Sequence, residues 1–376
     1  MSVKETLAHL VIIDSVSARS NAEIISYLED RCRALGFSVR RYPYKDEAGI
    51  NKINLVCIAG NNSSDAAELE LVLVGHTDTV PYDPNWAEAT TLTEREGKLY
   101  GRGACDTKGF IAAALTAIEG VGMDRLRRPL GLVFTADEEV GLLGAKKLVA
   151  QEPFRARNSI VGEPTSLQPI HAGKGYCLAE VFVRGREGHS AYPALGRSAI
   201  FRAARLISRI EKIAEHLKEE RHPGFDPPYT TLNVGLIRGG TAKNVIAGEC
   251  RFTLEWRPIP GQLSDRLLEH LQLAIEAEKI SDPDFDCEID ASRADAGFET
   301  ARDSRIVSLL EEATGKSAGS VAFGTEAAQM IRLGAATVVL GPGDIRVAHQ
   351  TGEYVSTEQL EGCVKILRQA IERLCA

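Results

Sequence analysis

Imidazole and carboxylate side chains follow several apolar segments of this sequence, at places where a strand would end. His76 and Asp78 follow one segment, and Glu138 and Glu139 follow another. Two further such ends carry Glu163 and His349, and Asp106 lies in a Gly-rich turn. Each alone is weak evidence, since an Asp or Glu at a helix start commonly acts as a cap. Together they predict a hydrolytic metal site, because Zn²⁺ takes such ligands, with Co²⁺ or Mn²⁺ as substitutes.

His76 and Asp78 are two residues apart, so in extended backbone their side chains share one face. A carboxylate in that position can accept a hydrogen bond from the second ring nitrogen of a metal-bound histidine and fix its tautomer. In the alternative interpretation, His76 is a core histidine whose hydrogen-bonding needs Asp78 satisfies.

The charge of the candidate ligands favours two cations over one. Two neutral imidazoles and three carboxylates sum to −3, which is costly to bury unpaired. Two divalent cations and a bridging hydroxide bring this to zero, whereas a single cation leaves −1. We therefore expect two metal ions that share one carboxylate. Glu138 is then left over, and a free carboxylate there suits the role of general base.

Short apolar runs alternate with helical patterns over much of the chain. Strands are predicted at 69–74, 129–134 and 336–340, and helices at 109–121 and 142–150. This alternation predicts an α/β fold with a mostly parallel central sheet flanked by helices. In such sheets ligands bind outside the carboxyl ends of the strands, which is where the acidic and imidazole groups stand.

The middle of the chain has a different pattern. A strand at 177–183, a long amphipathic helix at 200–217, strands at 230–237 and 248–256 and a helix at 263–280 suggest a β-α-β-β-α-β unit. We interpret it as an α+β domain inserted into the first. The predicted domains are therefore 1–174 with 291–376, and 175–290.

Composition excludes several classes of function. The 376 residues carry a formal charge of −8 and a pI near 5.6, which disfavours nucleic acid as a partner. No stretch approaches the roughly 18 apolar residues of a membrane span, and no signal peptide is visible. Eight scattered cysteines without a C-x-x-C pair are typical of a reducing compartment. We expect a cytoplasmic protein that binds no membrane.

Five segments resemble, in order along nearly the whole chain, the metallopeptidase/deacylase family of acetylornithine deacetylase, succinyl-diaminopimelate desuccinylase and glutamate carboxypeptidase. They are Leu-Val-Gly-His-Thr-Asp-Thr-Val-Pro at 73–81, Gly-Ala-Cys-Asp-Thr-Lys-Gly at 103–109, Asp-Glu-Glu-Val-Gly at 137–141, Gly-Glu-Pro-Thr at 162–165 and Gly-His-Ser-Ala-Tyr-Pro at 188–193. The resemblance implies a catalytic metal-binding domain and an inserted lid that also carries the contact of a homodimer.

By this resemblance two zinc ions per subunit share Asp106 as a bridge. One zinc would also be held by His76 and Glu163, and the other by Glu139 and His349. The family pattern also implies a cis peptide bond after the bridging aspartate.

The resemblance assigns catalytic roles to three further residues. Asp78 would orient His76, and Glu138 would be the general base. His189 would stabilise the oxyanion of the tetrahedral intermediate, in its own or the partner subunit. A histidine of a surface loop is the alternative for His189.

Other residues match positions that hold the substrate in relatives. Arg257 is the best candidate for the substrate carboxylate, since a guanidinium binds a carboxylate through two hydrogen bonds. The remaining candidates are Lys174, Tyr192, Asn244 and Thr325. Glu326 suits a cationic substrate tail, with a structural role as the alternative. Arg346 departs from the Asn or Gln expected near His349, which weakens the assignment of the substrate.

Residues 323–327 and 340–354 resemble the deacetylase branch of the family most closely. This implies hydrolysis of N2-acetyl-L-ornithine to L-ornithine and acetate in arginine biosynthesis, by a metal-bound hydroxide. The alternatives are another N-acyl amino acid amidohydrolase, a desuccinylase or a carboxypeptidase of the family. A catalytically dead metal- or peptide-binding descendant is the non-enzymatic alternative, although the chain keeps all six acidic and imidazole residues.

Overall fold

A computed structural model describes residues 1–60 and 68–376. Helices α1 to α9 cover Val3–Ile12, Ala22–Ala34, Lys108–Val121, Leu143–Val149, Ala199–Leu217, Arg266–Ser281, Arg305–Thr314, Ala327–Arg332 and Thr357–Leu374. Strands β1 to β9 cover Ser38–Lys45, Asn51–Ala59, Glu68–His76, Thr93–Arg95, Lys98–Tyr100, Leu130–Thr135, Arg155–Val161, Ile170–Gly173 and Tyr176–Arg184. Strands β10 to β18 cover Gly188–His189, Thr231–Gly239, Val245–Ile246, Glu249–Arg257, Asp286–Asp295, Phe298–Glu299, Gly319–Val321, Ala336–Val339 and Tyr354–Ser356.

The chain divides into two units. The first comprises 1–171, 299–319 and 325–376, and the second comprises 172–298 and 320–324. In the described part of the chain, no helix is both long and apolar enough to cross a membrane. The cysteines within the described residues form no disulfide.

The first unit is built on a central sheet in the order β1-β2-β6-β3-β7-β17-β8. Strands β6, β3, β7 and β17 run parallel to one another, while β1, β2 and β8 join antiparallel. Every residue of β6 and all but the first of β3 are buried, as expected for a sheet covered on both faces. The α/β fold with a mostly parallel central sheet is thus confirmed.

Helix α3 is the central helix of this unit. Most of its residues are buried, and small side chains such as Ala112, Ala113 and Ala117 allow α9 and α1 to pack closely against it. Because α3 begins directly after the loop that carries Asp106, its burial fixes that loop firmly in the core.

The second unit is an antiparallel sheet in the order β11-β13-β9-β14, with α5 and α6 packed together in the same unit. Its chain order, β9-α5-β11-β13-α6-β14, confirms the predicted pattern. Helix α6 begins at Arg266 rather than at Leu263, since the residues just before Arg266 form turns and Leu263 is exposed.

Candidate metal centre

His76 is the last residue of β3 and is buried between two oxygen atoms. Its Nδ1 lies 3.0 Å from the backbone oxygen of Asp78, and its Nε2 lies 3.0 Å from Oδ1 of Asp106. The Asp78 carboxylate is farther from Nδ1, at 3.7 Å. The tautomer of His76 is therefore set by a backbone carbonyl, which differs from the predicted contact with the Asp78 carboxylate.

Asp106 lies at the end of the loop before α3, and its two carboxylate oxygens face two histidines. Oδ1 faces Nε2 of His76, and Oδ2 lies 3.1 Å from Nε2 of His349. Burial alone would raise the pKa of Asp106, but the hydrogen bonds with His349 and His76 outweigh it and hold the pKa well below its usual value. The Asp106–Thr107 peptide bond is cis, which the family resemblance implied.

His349 stands in a loop before β18, with about half of its side chain exposed. Its Nε2 lies 3.1 Å from Oε1 of Glu139 as well as 3.1 Å from Asp106. These two hydrogen bonds raise the pKa of His349 to about 10, although burial opposes the shift. His349 thus brings together carboxylates that come from two different loops.

The donor set fits a metal ion. Among the described residues, His76, Asp106 and Glu139 offer ligand atoms that all lie within 4.8 Å of one another. Because Nδ1 of His76 donates to a carbonyl, its Nε2 directs a lone pair at the Asp106 carboxylate. Two such acceptors repel each other unless a proton or a cation lies between them. His349 places a ring nitrogen on the other oxygen of the same carboxylate. This arrangement allows Asp106 to bridge two cations.

Glu163 and Glu138 add two further carboxyl groups beside this group. Burial, together with the charges of Asp106 and Glu138, raises the pKa of Glu163 well above its usual value. Burial likewise raises the pKa of Glu138, helped by Glu139, while His76 opposes the shift. Carboxylates crowded in this way favour a site that gains positive charge.

The strand end before Glu163 packs directly on α3. A Cβ atom on Gly162 would lie 2.2 Å from the ring of Phe110, so only glycine fits there. This close approach fixes the position of Glu163 after β7.

The Asp78 carboxylate holds the segment that carries the two glutamates. Its Oδ1 accepts from the backbone N–H of Glu138 at 3.1 Å, and its Oδ2 accepts from that of Glu139 at 3.3 Å. The Ser17 hydroxyl donates to Oδ2 at 2.7 Å. The ring of His76 turns its Nδ1 to the backbone oxygen of Asp78 instead of this carboxylate.

The sequence analysis did not identify the buried contacts of Asp137, the residue before Glu138. Asp137 accepts from Lys52 Nζ at 2.6 Å and from the Tyr44 hydroxyl at 2.7 Å. Asp137 has a positive φ of 56°, and these contacts hold it in that conformation. The available signal was a lysine in the apolar strand β2, where Lys52 is only 1% exposed.

Glu326 precedes α8 and is 1% exposed, and among the described residues neither of its carboxylate oxygens has a hydrogen-bond partner. Burial raises its pKa to about 7, while His76 opposes the shift. The neighbouring Thr325 hydroxyl accepts from the backbone N–H of Ala327 at 3.2 Å. Thr325 and Glu326 belong to the first unit, and Glu326 is buried there.

Three predicted residues lie together in a loop region of the second unit. Strand β10, which ends at His189, pairs with β12, and the N–H of Ser190 donates to the backbone oxygen of Asn244 at 3.0 Å. The His189 and Tyr192 rings are 5.7 Å apart. Nδ1 of His189 accepts from the N–H of Ala191 at 3.1 Å, so its Nε2 carries the proton and is a donor.

Lys174 and Arg257 also lie in the second unit. Lys174 is 1% exposed, and its ammonium donates to the backbone oxygens of Pro227 at 2.8 Å and Tyr229 at 2.6 Å. Arg257 donates to Glu255 and to a backbone oxygen of the 320–324 segment, with its guanidinium 4.6 Å from the centre of a tyrosine ring. Lys174 thus anchors a loop, whereas Arg257 keeps part of its side chain exposed.

Comparisons with known proteins agree with this geometry. Residues 72–373 match the model of peptidase family M20/M25/M40. The chain is 53% identical over 376 residues to an acetylornithine deacetylase of Myxococcus xanthus, covering 100% of this chain and 98% of the relative. It is 35% identical to an acetylornithine deacetylase of Proteus mirabilis, covering 99% and 96%. Among solved structures, a tripeptidase of Staphylococcus aureus matches with a TM-score of 0.77 at 24% identity, covering 99% and 97%, which shows the fold.

Proposed function

Because the chain belongs to peptidase family M20/M25/M40, we propose that it hydrolyses N2-acetyl-L-ornithine to L-ornithine and acetate, a step of arginine biosynthesis. Family membership makes it a metal-dependent hydrolase of amide bonds. The substrate follows from the two acetylornithine deacetylases that it resembles over their full length. The observation that carries the chemistry is the Asp106 carboxylate between His76 and His349.

The cofactor in this proposal is a pair of Zn²⁺ ions, with Co²⁺ or Mn²⁺ as substitutes. Asp106 would bridge them, His76 and Glu163 would hold one, and Glu139 and His349 the other. The support is that the two Asp106 oxygens face different imidazoles. When bound, such a pair lowers the pKa of a shared water and polarises the scissile carbonyl.

Glu138 moves the proton in this mechanism. Its carboxylate accepts a proton from the attacking water and returns it to the departing α-amine. Glu138 suits this task because it neighbours the candidate ligand Glu139 and is not itself needed as a ligand. Asp78 acts through the backbone, since it fixes the N–H groups of Glu138 and Glu139 and hence the direction of both side chains.

His189 supplies a hydrogen bond to the oxyanion. The support is its tautomer, because the Ala191 contact leaves Nε2 as a donor on an exposed ring. Mixing His189→Ala with Glu138→Ala subunits tests which subunit it serves. Activity regained in the mixture indicates that His189 acts across subunits, whereas no regain indicates that it acts within its own chain.

The second unit supplies the candidates for the substrate carboxylate. Arg257 is the main one, supported by its partly exposed guanidinium. Asn244 and Tyr192 come from the His189 loop region. Lys174 would have to give up two carbonyl contacts to take part. In the first unit, Thr325 stands beside Glu326 as a further candidate.

Glu326 has two competing hypotheses. It either pairs with the ammonium of the substrate tail or serves the interior of the first unit. Its burial favours the second hypothesis, whereas its electrostatic interaction with His76, a candidate metal ligand, favours the first. Replacing Glu326 with Gln tests this: a larger loss for N-acetylornithine than for N-acetylmethionine supports pairing with the tail, and equal losses refute it.

We further propose that residues 1–174 and 291–376 form the catalytic domain and 175–290 the lid and dimerisation domain of a cytoplasmic homodimer. Strand β11 is an edge strand, and its Leu236 and Ile237 are 62% and 54% exposed. An exposed apolar edge is a template for pairing, and two copies of β11 related by a two-fold axis would continue the sheet. Light scattering tests this, since a dimer that Leu236→Lys converts to monomer supports it and a monomeric wild type refutes it.

A panel of acylated amino acids is the direct test of the proposed substrate. The purified chain, loaded with Zn²⁺ or Co²⁺, is assayed with N-acetylornithine, N-acetylmethionine, a succinylated diamino acid and a dipeptide. The proposal predicts the highest kcat/KM for N-acetylornithine. A higher value for another member identifies a different amidohydrolase, and metal binding without hydrolysis of any member identifies a binding protein.

A further inference from the structure

Glu353 and Arg102 form an ion pair in the interior of the first unit. Arg102 Nη1 lies 2.5 Å from Glu353 Oε2, and the two residues are 4% and 1% exposed. Burying two charges costs free energy that a pair recovers only with further hydrogen bonds, so ion pairs of this kind commonly serve more than stability. The other contacts of Glu353 and Arg102 therefore indicate what the pair does.

The second oxygen of Glu353 binds the backbone that carries the bridging carboxylate. Its Oε1 accepts from the N–H of Cys105 at 2.9 Å and from the N–H of Asp106 at 3.0 Å. The backbone oxygen of Glu353 also accepts from the N–H of Gly101 at 3.1 Å. One residue thus holds both ends of the 101–106 loop.

The same pair contacts two of the other segments that carry candidate ligands. Glu353 closes the loop of His349, since its N–H donates to the backbone oxygen of Gln350 at 3.2 Å. Arg102 Nη2 donates to the backbone oxygen of Pro81 at 3.3 Å, in the segment that follows His76. Three separate chain segments that supply ligands therefore converge on one buried ion pair.

We propose that Glu353 is a positioning residue of the metal centre, with Arg102 as the counter-ion that fixes its orientation. Glu353 holds the Asp106 backbone so that the two carboxylate oxygens stay directed at His76 and His349. Arg102 occupies Oε2, which leaves Oε1 to accept both backbone N–H groups. This inference rests on the proposed metal centre and adds two residues that are not themselves candidate ligands.

The test measures Co²⁺ binding by the metal-free chain, by calorimetry and by the visible absorption of bound Co²⁺. In Glu353→Gln, one carboxylate oxygen becomes an NH₂ donor. This NH₂ then faces either the Arg102 guanidinium or the backbone N–H groups of Cys105 and Asp106, which are donors themselves. In Arg102→Gln, the Glu353 carboxylate loses its counter-ion. We expect each variant to bind Co²⁺ about 10–100-fold more weakly, with an altered spectrum, as for other residues that orient metal ligands.

The double variant is the rescue. With Gln at both positions, the amide oxygen at 353 can accept the two backbone N–H groups while its NH₂ donates to the amide oxygen at 102. We expect it to regain most of the Co²⁺ affinity and the wild-type spectrum. It also keeps the test valid if either single variant fails to fold.

Asp282→Asn is the matched control. Asp282 accepts from Arg202 at 2.8 and 2.6 Å in the second unit, and Arg202 is similarly buried. This variant should lower the Tm but leave Co²⁺ affinity unchanged. An equal loss of affinity in the control, or Glu353→Gln affinity within twofold of wild type, would overturn the positioning role alone. A wild type that binds no Co²⁺ would instead refute the metal centre itself.

Discussion

Replacing Asp78 with Asn tests how the backbone that carries Glu138 and Glu139 is held. The carboxylate accepts from the N–H of Glu138 at Oδ1, and from Ser17 and the N–H of Glu139 at Oδ2. The best orientation of Asn places its NH₂ at the Oδ2 position, where the Ser17 hydroxyl can turn and accept from it. The N–H of Glu139 then faces this NH₂, which is also a donor, so this one hydrogen bond is lost.

The expected effect follows from that one lost contact. A hydrogen bond to a charged group contributes about 1.5–3 kcal/mol, and every 1.36 kcal/mol changes a rate tenfold. We therefore expect Asp78→Asn to lower kcat by roughly 10–150-fold with the metal content of the wild type retained. Steady-state assays with metal analysis measure this, and Ser17→Ala is the control that leaves both N–H contacts in place. A kcat within twofold of wild type would refute the reasoning.

Three further outcomes are expected. Glu138→Gln should keep its metal and lose roughly 10²–10⁴-fold in kcat, and retained turnover would remove its role as base. In the metal-free folded protein, burial raises the pKa of Glu326 to about 7, so the folded state binds this proton more tightly than the unfolded state does. The contribution of Glu326 to the free energy of unfolding should therefore fall as the pH rises from about 4.5 to 7. Urea unfolding of Glu326→Gln should lack that contribution. Chelation should abolish turnover and lower the Tm, with Zn²⁺ or Co²⁺ restoring both, whereas activity that persists at full chelation would contradict metal dependence.

The sequence predicted the scaffold because apolar runs and turns are local signals. β3, β6 and β17 and helices α3 and α5 appear where periodicity placed them, to within a few residues. The ligand-bearing loops follow from the same signal, since parallel strands bring their carboxyl ends to one edge of the sheet. That is why His76, Glu139 and Glu163 could be placed at one edge of the sheet, whereas Asp106 follows no strand of that sheet and its place beside them was implied by the family resemblance.

The contacts that orient the ligands could not be predicted in the same way. Lys52 and Asp137 are 85 positions apart, and Glu353 and Asp106 are 247 apart, so no local pattern links them. The choice of His76 for a backbone oxygen over the Asp78 carboxylate depends on which other donors reach that carboxylate. Such competition is decided by tertiary packing and leaves no trace in spacing.

The start of α6 was also hard to predict. Apolar periodicity extended this helix back to Leu263, but the backbone forms turns until Arg266 and leaves Leu263 exposed. Residue type suggested that Glu326 contacts a charged substrate, and its burial could not be read from the sequence; that contact stays a prediction.

The stoichiometry of Co²⁺ binding tests the central claim most directly, which is that Asp106 bridges two cations between His76 and His349. Calorimetric titration of the metal-free chain should end at two equivalents per chain, and that of His349→Ala at one. A wild-type titration that ends at one equivalent, or a His349→Ala variant that still binds two, would contradict the account.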